Sequence, residues 1–530
     1  MNRLRSVLST LRAFVAAHPS GVALLCICLV SFLTYAPLFY GTFLNFDDGQ
    51  QIFNNLRIKE GGLGNFEDAL FTNYTGKGSA PSFAVSVINW AITPNYAGFA
   101  ALNLIAFMGV ILIFYRFTAL FLGDRRARLA ATLLFSVHSL NTDTLGWMSS
   151  RCHIIGGTFV LCSMIFWQKY LDDTTRARRL FWYAFAVWSA AVAIWNKGIF
   201  LVLPGLIVVY EVYRSRRFCL PAVLDKIPLL ALAVLPFLFA PLKIGAGRFD
   251  KPGLGATLPV TLMNDAGLVM EYLYHLAVPG PTAVSIDVYP VTSLLDASDA
   301  SSLLFMRLPP ISNIALLVLL GAIAVLFLVR YRSKHLFFFF AFTAVGLSPV
   351  MNIPPRWVDF AFRFEIMPLF FFCVLVGAAL AAVLPRLGRR GAYAAIAVFC
   401  LYAFWHAAAG FMQARAWDTE LGYWTACTEH YPDSIVCRYK AAWLSGREQR
   451  MEDTERHHRQ VFQYSMYRAP NRPRPAAKNL GGIYRRMGRT EEAIFYLQMS
   501  LGTDRLNAAD RKWVHDALRE LKTEGRKKKP

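Results

Sequence analysis

Long apolar runs alternate with short polar and charged segments along most of the chain. A helix of about 20 apolar residues spans the hydrocarbon core of a bilayer, and the run from Gly21 to Tyr40 is almost wholly apolar. The pattern predicts eleven membrane-spanning helices, near residues 20–41, 98–121, 129–146, 152–170, 180–195, 198–213, 227–242, 311–329, 335–351, 364–385 and 391–411. We therefore expect an all-α, polytopic membrane protein.

Basic residues cluster in the segments between these runs, as the positive-inside rule describes for cytoplasmic loops. The clusters are Arg3, Arg5 and Arg12; Arg125, Arg126 and Arg128; Lys169, Arg176, Arg178 and Arg179; Arg214, Arg216 and Arg217; Arg330, Arg332 and Lys334; and Arg386, Arg389 and Arg390. If all are cytoplasmic, the intervening loops are extracytoplasmic, and an odd number of spans places the C-terminal segment outside as well. Alanine- and arginine-rich usage favours a bacterial inner (plasma) membrane with a cytoplasmic N-terminus and a periplasmic C-terminal domain.

The composition agrees with this topology. Of the 530 residues, 55% are hydrophobic and 17% are charged, whereas a soluble domain carries roughly 25% charged residues. The formal net charge is +21, but the basic clusters never form one continuous face. Membrane lipids are therefore the expected surroundings, and no nucleic-acid partner is predicted.

One segment tests the number of spans. Leu258 to Gly280 is moderately apolar but contains Asp265, Glu271 and His275. An acidic group at the centre of a bilayer costs about 2.5–3.5 kcal/mol. We therefore expect an amphipathic helix on the outer surface, because a twelfth span would place the later basic clusters on the wrong side.

Beyond the last apolar run the composition becomes charged and helix-forming. The predicted domains are a cytoplasmic basic tail (1–19), a transmembrane domain (20–412) and an extracytoplasmic helical domain (413–530). Within the last, the segment from Lys478 to Ala493 follows the first half of a tetratricopeptide repeat. Such repeats bind peptides or partner proteins in a concave groove, and the alternative is a rigid cap or a dimer surface.

Two of the nine cysteines lie in this outer domain. Cys427 and Cys437 are ten residues apart across a predicted helix–turn–helix. An oxidising compartment permits a disulfide between them, and the sequence leaves open whether they are bonded.

Two adjacent carboxylates follow the first span directly. Asp47 and Asp48 begin a polar stretch that ends at Asn55. A carboxylate at the membrane surface can accept a proton from a hydroxyl group while an apolar ligand lies in the bilayer beside it. The alternative is that both residues cap the following helix, since aspartate is a favoured N-cap residue.

Three cations at predicted outer span ends are candidates for binding a phosphate. Arg363 is the strongest, because a guanidinium fork matches phosphate oxygens at two points, and Lys197 and Arg151 come next. The alternative for each is that its long side chain reaches the lipid headgroups. His138 and His153 are further polar candidates, but their spacing indicates no metal site, and a divalent metal is left open.

The order of these motifs resembles a known family, the transmembrane and tetratricopeptide-repeat O-mannosyltransferases of the GT-C glycosyltransferase superfamily. The resemblance rests on Asp47-Asp48 with Ile52 and Asn55; on His138, Trp147 and Arg151; on Asn196-Lys197-Gly198 with Pro204; on Tyr272 to Pro279 continuing through Ile286 to Tyr289; and on Arg363 before Met367-Pro368. The chain departs from the family pattern at Gly198, which stands in place of a glutamate, and after Arg363, where tyrosines are lost. The short tail favours a bacterial relative.

The resemblance implies a GT-C fold and an inverting transfer of a sugar from a polyprenyl-phosphate donor to an acceptor hydroxyl on the outer side. Asp47 would be the general base, and Asp48 would orient the acceptor or share that role. Arg363, Lys197 and Arg151 would bind the donor phosphate. Three further residues would line the donor or acceptor pocket, namely Asn55, His138 and His153. No cofactor is implied besides the lipid-linked donor.

Several hypotheses about the acceptor and the class of protein stay open at this stage. The acceptor is a protein serine or threonine, or else an envelope lipid or polysaccharide. A non-catalytic scaffold would recruit a partner through its repeats, but an anchor needs no acidic pair. A flippase for a lipid-linked sugar would show paired halves and interrupted helices, which this sequence lacks.

Overall fold

The computed structural model describes residues 18–59, 80–216, 219–239, 258–284, 286, 303–351, 360–467, 476–503 and 506–527. Most of the predicted basic tail (1–19) therefore lies outside the described residues, as do Asp287 to Tyr289 of the resemblance. Helices make up nearly all of the described chain, and Ile286 forms an isolated antiparallel bridge with Phe360.

The helices up to residue 415 form the predicted membrane part. They are α1 (Pro19–Tyr35), α2 (Leu56–Lys59), α3 (Ala80–Ile92), α4 (Tyr96–Thr118), α5 (Arg125–Val137), α6 (Asn141–Gly146), α7 (Arg151–Asp172), α8 (Arg176–Asn196), α9 (Leu203–Tyr213), α10 (Leu220–Leu224), α11 (Ile227–Phe239), α12 (Leu258–Ala277), α13 (Pro310–Arg330), α14 (His335–Leu347), α15 (Ile366–Val383) and α16 (Arg389–Arg415). Short 3-10 turns extend several of them.

Six helices, counted with their adjoining turns, are long and apolar enough to cross a membrane within the described residues. They are Pro19–Tyr40, Tyr96–Thr118, Met148–Asp172, Pro310–Arg330, Phe362–Arg386 and Arg389–Asp418. Shorter apolar helices lie at Pro81–Ile92, Gly198–Tyr213 and His335–Val350. The structure therefore supports a multi-pass membrane protein, while the count of eleven spans remains a prediction.

The α12 helix differs from the surface helix that the sequence predicts. Its acidic residues Asp265 and Glu271 are buried, whereas Leu258 and Leu262 are exposed. The reason is hydrogen bonding to a later segment of the chain, because Glu271 accepts bonds from the backbone amides of Phe305 and Met306. The helix is therefore mostly buried, and apolar residues such as Leu268 and Leu276 are buried together with its acidic ones.

The remaining helices follow the last apolar run in antiparallel succession. They are α17 (Glu420–His430), α18 (Ile435–Arg447), α19 (Met451–Tyr467), α20 (Ala476–Arg486), α21 (Thr490–Thr503) and α22 (Ala508–Lys527). The helices α20 and α21 form the helical hairpin expected from the segment Lys478 to Ala493. Leu480 and Tyr484 of α20 are fully buried. Gly488, in the turn between them, has a φ of +73°, a conformation that a side chain disfavours. Assignment of these helices to the tetratricopeptide repeats remains a prediction.

The hydrophobic core does not stop at the end of the last span. Trp417, Trp424 and Leu444 belong to the same cluster of buried residues as the membrane helices. The last three helices have a separate core, which includes Leu497 and Val514. The first helix pair of the outer domain is therefore packed as a continuation of the membrane part.

A disulfide joins the first two helices of the outer domain. The Sγ atoms of Cys427 in α17 and Cys437 in α18 are 2.03 Å apart. The sequence had left this pairing open. The bond fixes α17 and α18 to each other across their connecting turn.

Candidate active site

The two aspartates after the first span have different surroundings. Asp47 is half-buried, whereas Asp48 is fully buried. The chain turns from α1 through a short 3-10 segment, and a π-helical turn, Gly49–Phe53, follows the aspartates. Asp48 precedes this turn, but its side chain does not cap it. The capping alternative therefore fails for Asp48.

The Asp48 carboxylate instead joins the loop after α1 to the segment between α6 and α7. Its Oδ1 accepts a hydrogen bond from the backbone N–H of Ser149 at 2.8 Å and a second from the Ser149 hydroxyl. Its Oδ2 accepts from the backbone N–H of Leu44 at 3.2 Å. Burying a carboxylate without such hydrogen bonds would decrease the stability of the folded state. Asp48 thus holds the loop in one position, and Asp47 is the more accessible of the two.

Burial sets the ionisation of Asp48. Removal from water raises the pKa of its carboxyl group to about 7, although the hydrogen bonds from Ser149 and Leu44 oppose this increase. The neighbouring Asp47 adds a smaller effect in the raising direction. Asp48 therefore exchanges its proton near neutral pH.

Arg363 lies at the start of the span that continues into α15, and it is 9% exposed. Its guanidinium stacks over the ring of Trp147, with 4.7 Å between the guanidinium carbon and the ring centroid, and it donates a hydrogen bond to the Val284 carbonyl. Asp47 and Arg363 also interact electrostatically. The structure thus brings the candidate base and the strongest candidate phosphate ligand into one site.

His153 and Lys197 belong to the same group of charges. The imidazole of His153 interacts electrostatically with both Arg363 and Lys197. Its Nδ1 lies 3.1 Å from the carbonyl oxygen of Ser150, and its Nε2 has no hydrogen-bond partner in the described part of the chain. Nε2 is therefore available to a bound ligand. Lys197 is half-buried at the end of α8.

Arg151 is held deeper in the protein than the sequence predicts for a phosphate ligand. It is 2% exposed, and it donates hydrogen bonds to Ser86 and Asn89 of α3 at 3.3 and 3.2 Å. Its guanidinium also lies over the ring of Phe99 and interacts electrostatically with Asp48. These contacts suit a residue that stabilises the Asp48 carboxylate electrostatically from within the protein.

His138 and Asn55 lie apart from this group. The Nε2 of His138 is 3.1 Å from the Leu276 carbonyl oxygen, and its ring stacks on His406 with centroids 3.9 Å apart. Asn55 directly precedes the short helix α2, and its backbone carbonyl accepts hydrogen bonds from the amides of Ile58 and Lys59 within that helix.

The structure adds two carboxylates that the sequence analysis did not single out. Asp143, in α6, is 1% exposed and interacts electrostatically with Arg363. Glu365 is fully buried two residues after Arg363. The Thr282 side chain interacts with the Asp143 carboxyl group, whereas the carboxylate oxygens of Glu365 have no hydrogen bond within the described residues. The available signal for Glu365 was an acidic residue at the start of an otherwise apolar run, but Asp143 lies among polar residues and gives no such signal.

The outer domain contacts the aspartate loop directly, and this was also missed. The backbone N–H of Asn45 donates to Glu420 Oε1 at 2.7 Å, and its carbonyl accepts from Lys440 Nζ at 2.7 Å. Glu420 lies on α17 and Lys440 on α18. Phe46 packs against Trp424 with ring centroids 5.9 Å apart. Both backbone polar groups of Asn45, two residues before Asp47, are thus bound by the outer domain.

Sequence comparison finds weak similarity to protein O-mannosyl-transferases. Protein O-mannosyl-transferase TMTC4 of Homo sapiens is 24% identical over 224 residues, which is 37% of this chain and 30% of that protein. TMTC4 of Mus musculus is 25% identical over 293 residues, covering 50% and 38%. TMTC3 of Homo sapiens is 29% identical over 122 residues, covering 23% and 13%. The matched region is less than half the length of each relative.

Two kinds of solved structure superpose partially on the chain. An oligosaccharyltransferase of Archaeoglobus fulgidus, tethered with an acceptor peptide, matches at a TM-score of 0.40 and 13% identity, over 79% of this chain and 57% of that one. ArnT of Cupriavidus metallidurans, bound to undecaprenyl phosphate, matches at a TM-score of 0.37 and 14% identity, over 91% and 80%.

No family model matches the sequence. The similarity to the curated transferases is low in identity, and it agrees with the family that the motifs resemble. The chain is therefore a weak homologue of the protein O-mannosyl-transferases.

Proposed function

We propose that this protein is a membrane glycosyltransferase that moves a sugar from a polyprenyl-phosphate donor to an acceptor hydroxyl on the extracytoplasmic side. The observation that carries the proposal is the electrostatic interaction between Asp47 and Arg363, whose guanidinium is held against Trp147. A general base and a phosphate-binding cation must flank the same sugar carbon for this chemistry. The weak homology to protein O-mannosyl-transferases supports the same reaction class.

The proposed reaction is one displacement with inversion. The acceptor oxygen attacks the anomeric carbon and forms the new glycosidic bond, while the bond from that carbon to the phosphate oxygen breaks. Its electron pair leaves with the polyprenyl phosphate. Asp47 accepts the hydroxyl proton, which makes the oxygen a better nucleophile. Asp48 serves as a positioning residue, because its oxygens already bind Ser149 and Leu44.

The leaving phosphate gains negative charge as the bond breaks, so cations beside it stabilise the transition state. Arg363 is pre-oriented by its stacking on Trp147, and it can bind phosphate oxygens through its fork. Lys197 and the open Nε2 of His153 lie in the same electrostatic group. Arg151 acts indirectly through Asp48. A divalent metal stays open as an additional component.

The proposed acceptor is a protein serine or threonine, by analogy with the names of the curated relatives. The alternative acceptor is an envelope lipid or polysaccharide. A non-catalytic scaffold is less consistent with the buried charges, because an anchor does not need Asp48, Arg151 and Arg363 held in one site.

The test is an intact-mass comparison of extracytoplasmic proteins from a deletion strain carrying the wild type, Asp47→Asn or Asp48→Asn at equal membrane expression. We expect Asp47→Asn to abolish a hexose-sized mass increment that the wild type restores. Full modification by both variants would contradict the proposed base. Unchanged protein masses in the deletion strain would exclude the protein acceptor, and glycolipid and polysaccharide analysis would then identify an envelope acceptor.

A further inference from the structure

The outer domain contains a wide groove that the proposed reaction does not use. Its volume is about 970 Å³, and it is lined by residues of α18, α20 and α22, with contributions from α19. These three helices alternate along the chain with α19 and α21, and each supplies part of the groove wall.

The charge of the groove is predominantly positive. Four cationic side chains line it against a single carboxylate; they are Arg447, Lys478, Arg485 and Arg486, and the carboxylate is Asp510. Lys478 forms an ion pair with Asp510, and Arg485 forms one with Glu520, a residue outside the groove lining. In the described part of the chain, neither carboxylate pairs with the exposed Arg447 and Arg486, which carry the remaining positive charge. A ligand that neutralises this surface must carry negative groups.

The groove also presents two large aromatic surfaces. Trp443 is 37% exposed and Trp513 is 41% exposed. The guanidinium of Arg447 lies 4.9 Å from the ring centroid of Trp443, and Lys478 lies over Trp513 at 5.8 Å. Partly exposed tryptophan and arginine are the residue types that anchor protein ligands at interfaces. Neutral sugars would use the rings but would leave the arginines without counter-charges.

One wall of the groove is connected to the aspartate loop. Trp443 lines the groove from α18 and lies 5.8 Å from the Lys440 ammonium group, which binds the Asn45 carbonyl. Lys440 also lies over the ring of Phe46, next to Asp47 in the sequence. The helix that supplies one wall of the groove, α18, therefore also binds the loop that carries the proposed catalytic base.

We propose that this groove binds an acidic, extended segment of the acceptor polypeptide and delivers a neighbouring hydroxyl group to Asp47. The role as acceptor site rests on the proposed function, whereas binding of an acidic polypeptide does not. Arg447 and Arg486 bind carboxylates of the segment, Trp443 and Trp513 pack against its side chains, and α18 transmits the position of the segment to the catalytic loop.

The test uses the full-length protein in detergent and two fluorescent peptides, one alternating glutamate with serine and the other alternating lysine with serine. Anisotropy is measured without any sugar donor. We expect the acidic peptide to bind more tightly than the basic peptide. Added salt should weaken the binding of the acidic peptide. The double variant Arg447→Ala/Arg486→Ala should weaken binding about tenfold or more, and Trp513→Ala should weaken it as well.

Arg519→Ala is the matched control, because Arg519 lies on α22 with its side chain 81% exposed and is not part of the groove lining. It should bind the acidic peptide like the wild type. Thermal unfolding must show that all variants are equally folded. Equal binding of both peptides, or a double variant that binds like the wild type, would overturn the proposal. Displacement of the acidic peptide by a neutral oligosaccharide would assign the groove to a glycan instead.

The two proposals fail in different ways. If the wild type shows no transfer but binds the acidic peptide through the arginines, the groove stands as a peptide site and the glycosyltransferase proposal fails. If transfer occurs and the double variant leaves the KM for an acidic acceptor unchanged, the groove proposal fails alone. The expected result is an increase in this KM with kcat unchanged.

Discussion

At the scale of single residues, the adjacent aspartates divide two tasks that one carboxylate could not perform. Asp48 is buried and hydrogen-bonded, so its oxygens are committed to Ser149 and Leu44. Asp47 stays partly accessible beside Arg363. A proton acceptor must reach its substrate, whereas a residue that fixes a loop must not move. The pair satisfies both requirements within one turn of chain.

The buried carboxyl group of Asp48 predicts a pH-dependent stability. Its pKa is about 7 in the folded state against an ordinary value of 3.8. Between these values the unfolded chain loses a proton that the folded chain retains, so stability decreases as pH rises from about 4 to 7 and is constant above. The full pKa difference corresponds to a change of about 4 kcal/mol in the free energy of unfolding.

Thermal unfolding of the detergent-solubilised protein across this pH range measures the effect. Asp48→Asn cannot ionise, so its unfolding temperature should fall less than that of the wild type over the same range. Parallel curves for the two proteins would contradict the assignment of the pH dependence to Asp48. The Asp124→Asn variant is a control at an exposed helix cap.

Replacing the Arg363 guanidinium tests its role at the leaving phosphate. Arg363→Lys keeps the positive charge but removes the planar fork and its stacking on Trp147. We expect kcat/KM for a polyprenyl-phosphate sugar to fall by about tenfold to a hundredfold, or roughly 1.4–2.7 kcal/mol of transition-state stabilisation. Single-turnover kinetics separate donor binding from the chemical step. An Arg363→Lys enzyme with wild-type kinetics would exclude a two-point phosphate contact.

At the scale of secondary-structure elements, the aspartate loop is held on two sides. Ser149, before α7, binds Asp48 from the membrane part, while α17 and α18 bind Asn45 from the outer domain. The disulfide between Cys427 and Cys437 ties these two helices together. The outer helices therefore complete the site.

Loosening this attachment should affect catalysis more than donor binding. Glu420→Gln leaves a hydrogen-bond acceptor for the Asn45 amide, whereas Glu420→Ala and Lys440→Met each remove one bond to the loop. We expect Glu420→Ala and Lys440→Met to lower kcat about tenfold with little change in donor KM, and Glu420→Gln to retain most activity. Equal losses in all three, with a matching loss of thermal stability, would indicate a general folding defect instead.

The sequence predicted those candidate residues whose position along the chain is itself unusual, and it missed those that depend on a distant partner. Asp47, Arg363, Lys197 and His153 lie at span ends, where hydropathy alone marks an exceptional charge, and the structure brings them together. His138 shares that signal, yet its partner His406 comes from a distant helix. Tertiary pairing of this kind has no local pattern. For the same reason, the sequence did not predict the roles of Glu420 and Lys440. In their own segments these two residues resemble ordinary charged residues on solvent-facing helices.

The secondary structure was easier to predict than the topology. Apolar periodicity located α4, α7, α13, α15 and α16 to within a few residues. It could not give the orientation of α12, because burial of Glu271 depends on two backbone amides from a segment far along the chain.

At the scale of the whole molecule, the outer domain consists of two differently anchored parts. The helices α17 and α18 share their core with the membrane part, whereas α20, α21 and α22 have a core of their own. We therefore expect α17 and α18 to act together with the membrane part, and α20 to α22 to act as a separate unit.

Truncation tests this division. A chain ending before Ala476 keeps the loop contacts of Glu420 and Lys440 and loses most of the groove. We expect it to fold and to transfer sugar with an increased acceptor KM. A chain ending at Arg415 should lose transfer entirely, because Trp417 and Trp424 leave the common core. Detergent size-exclusion profiles and transfer kinetics compare the two; equal activity would contradict the shared core.

The contact between Asn45 and Glu420 joins residues 375 positions apart in the sequence. A ribosome makes these two partners at very different times. The loop bearing Asp47 enters the membrane early and waits for most of the remaining chain before it acquires its final support. An interrupted translation product would thus insert into the bilayer without a finished site. Under the proposed function, synthesis itself would act as a safeguard, since only chains that extend beyond Lys440 would have the finished site.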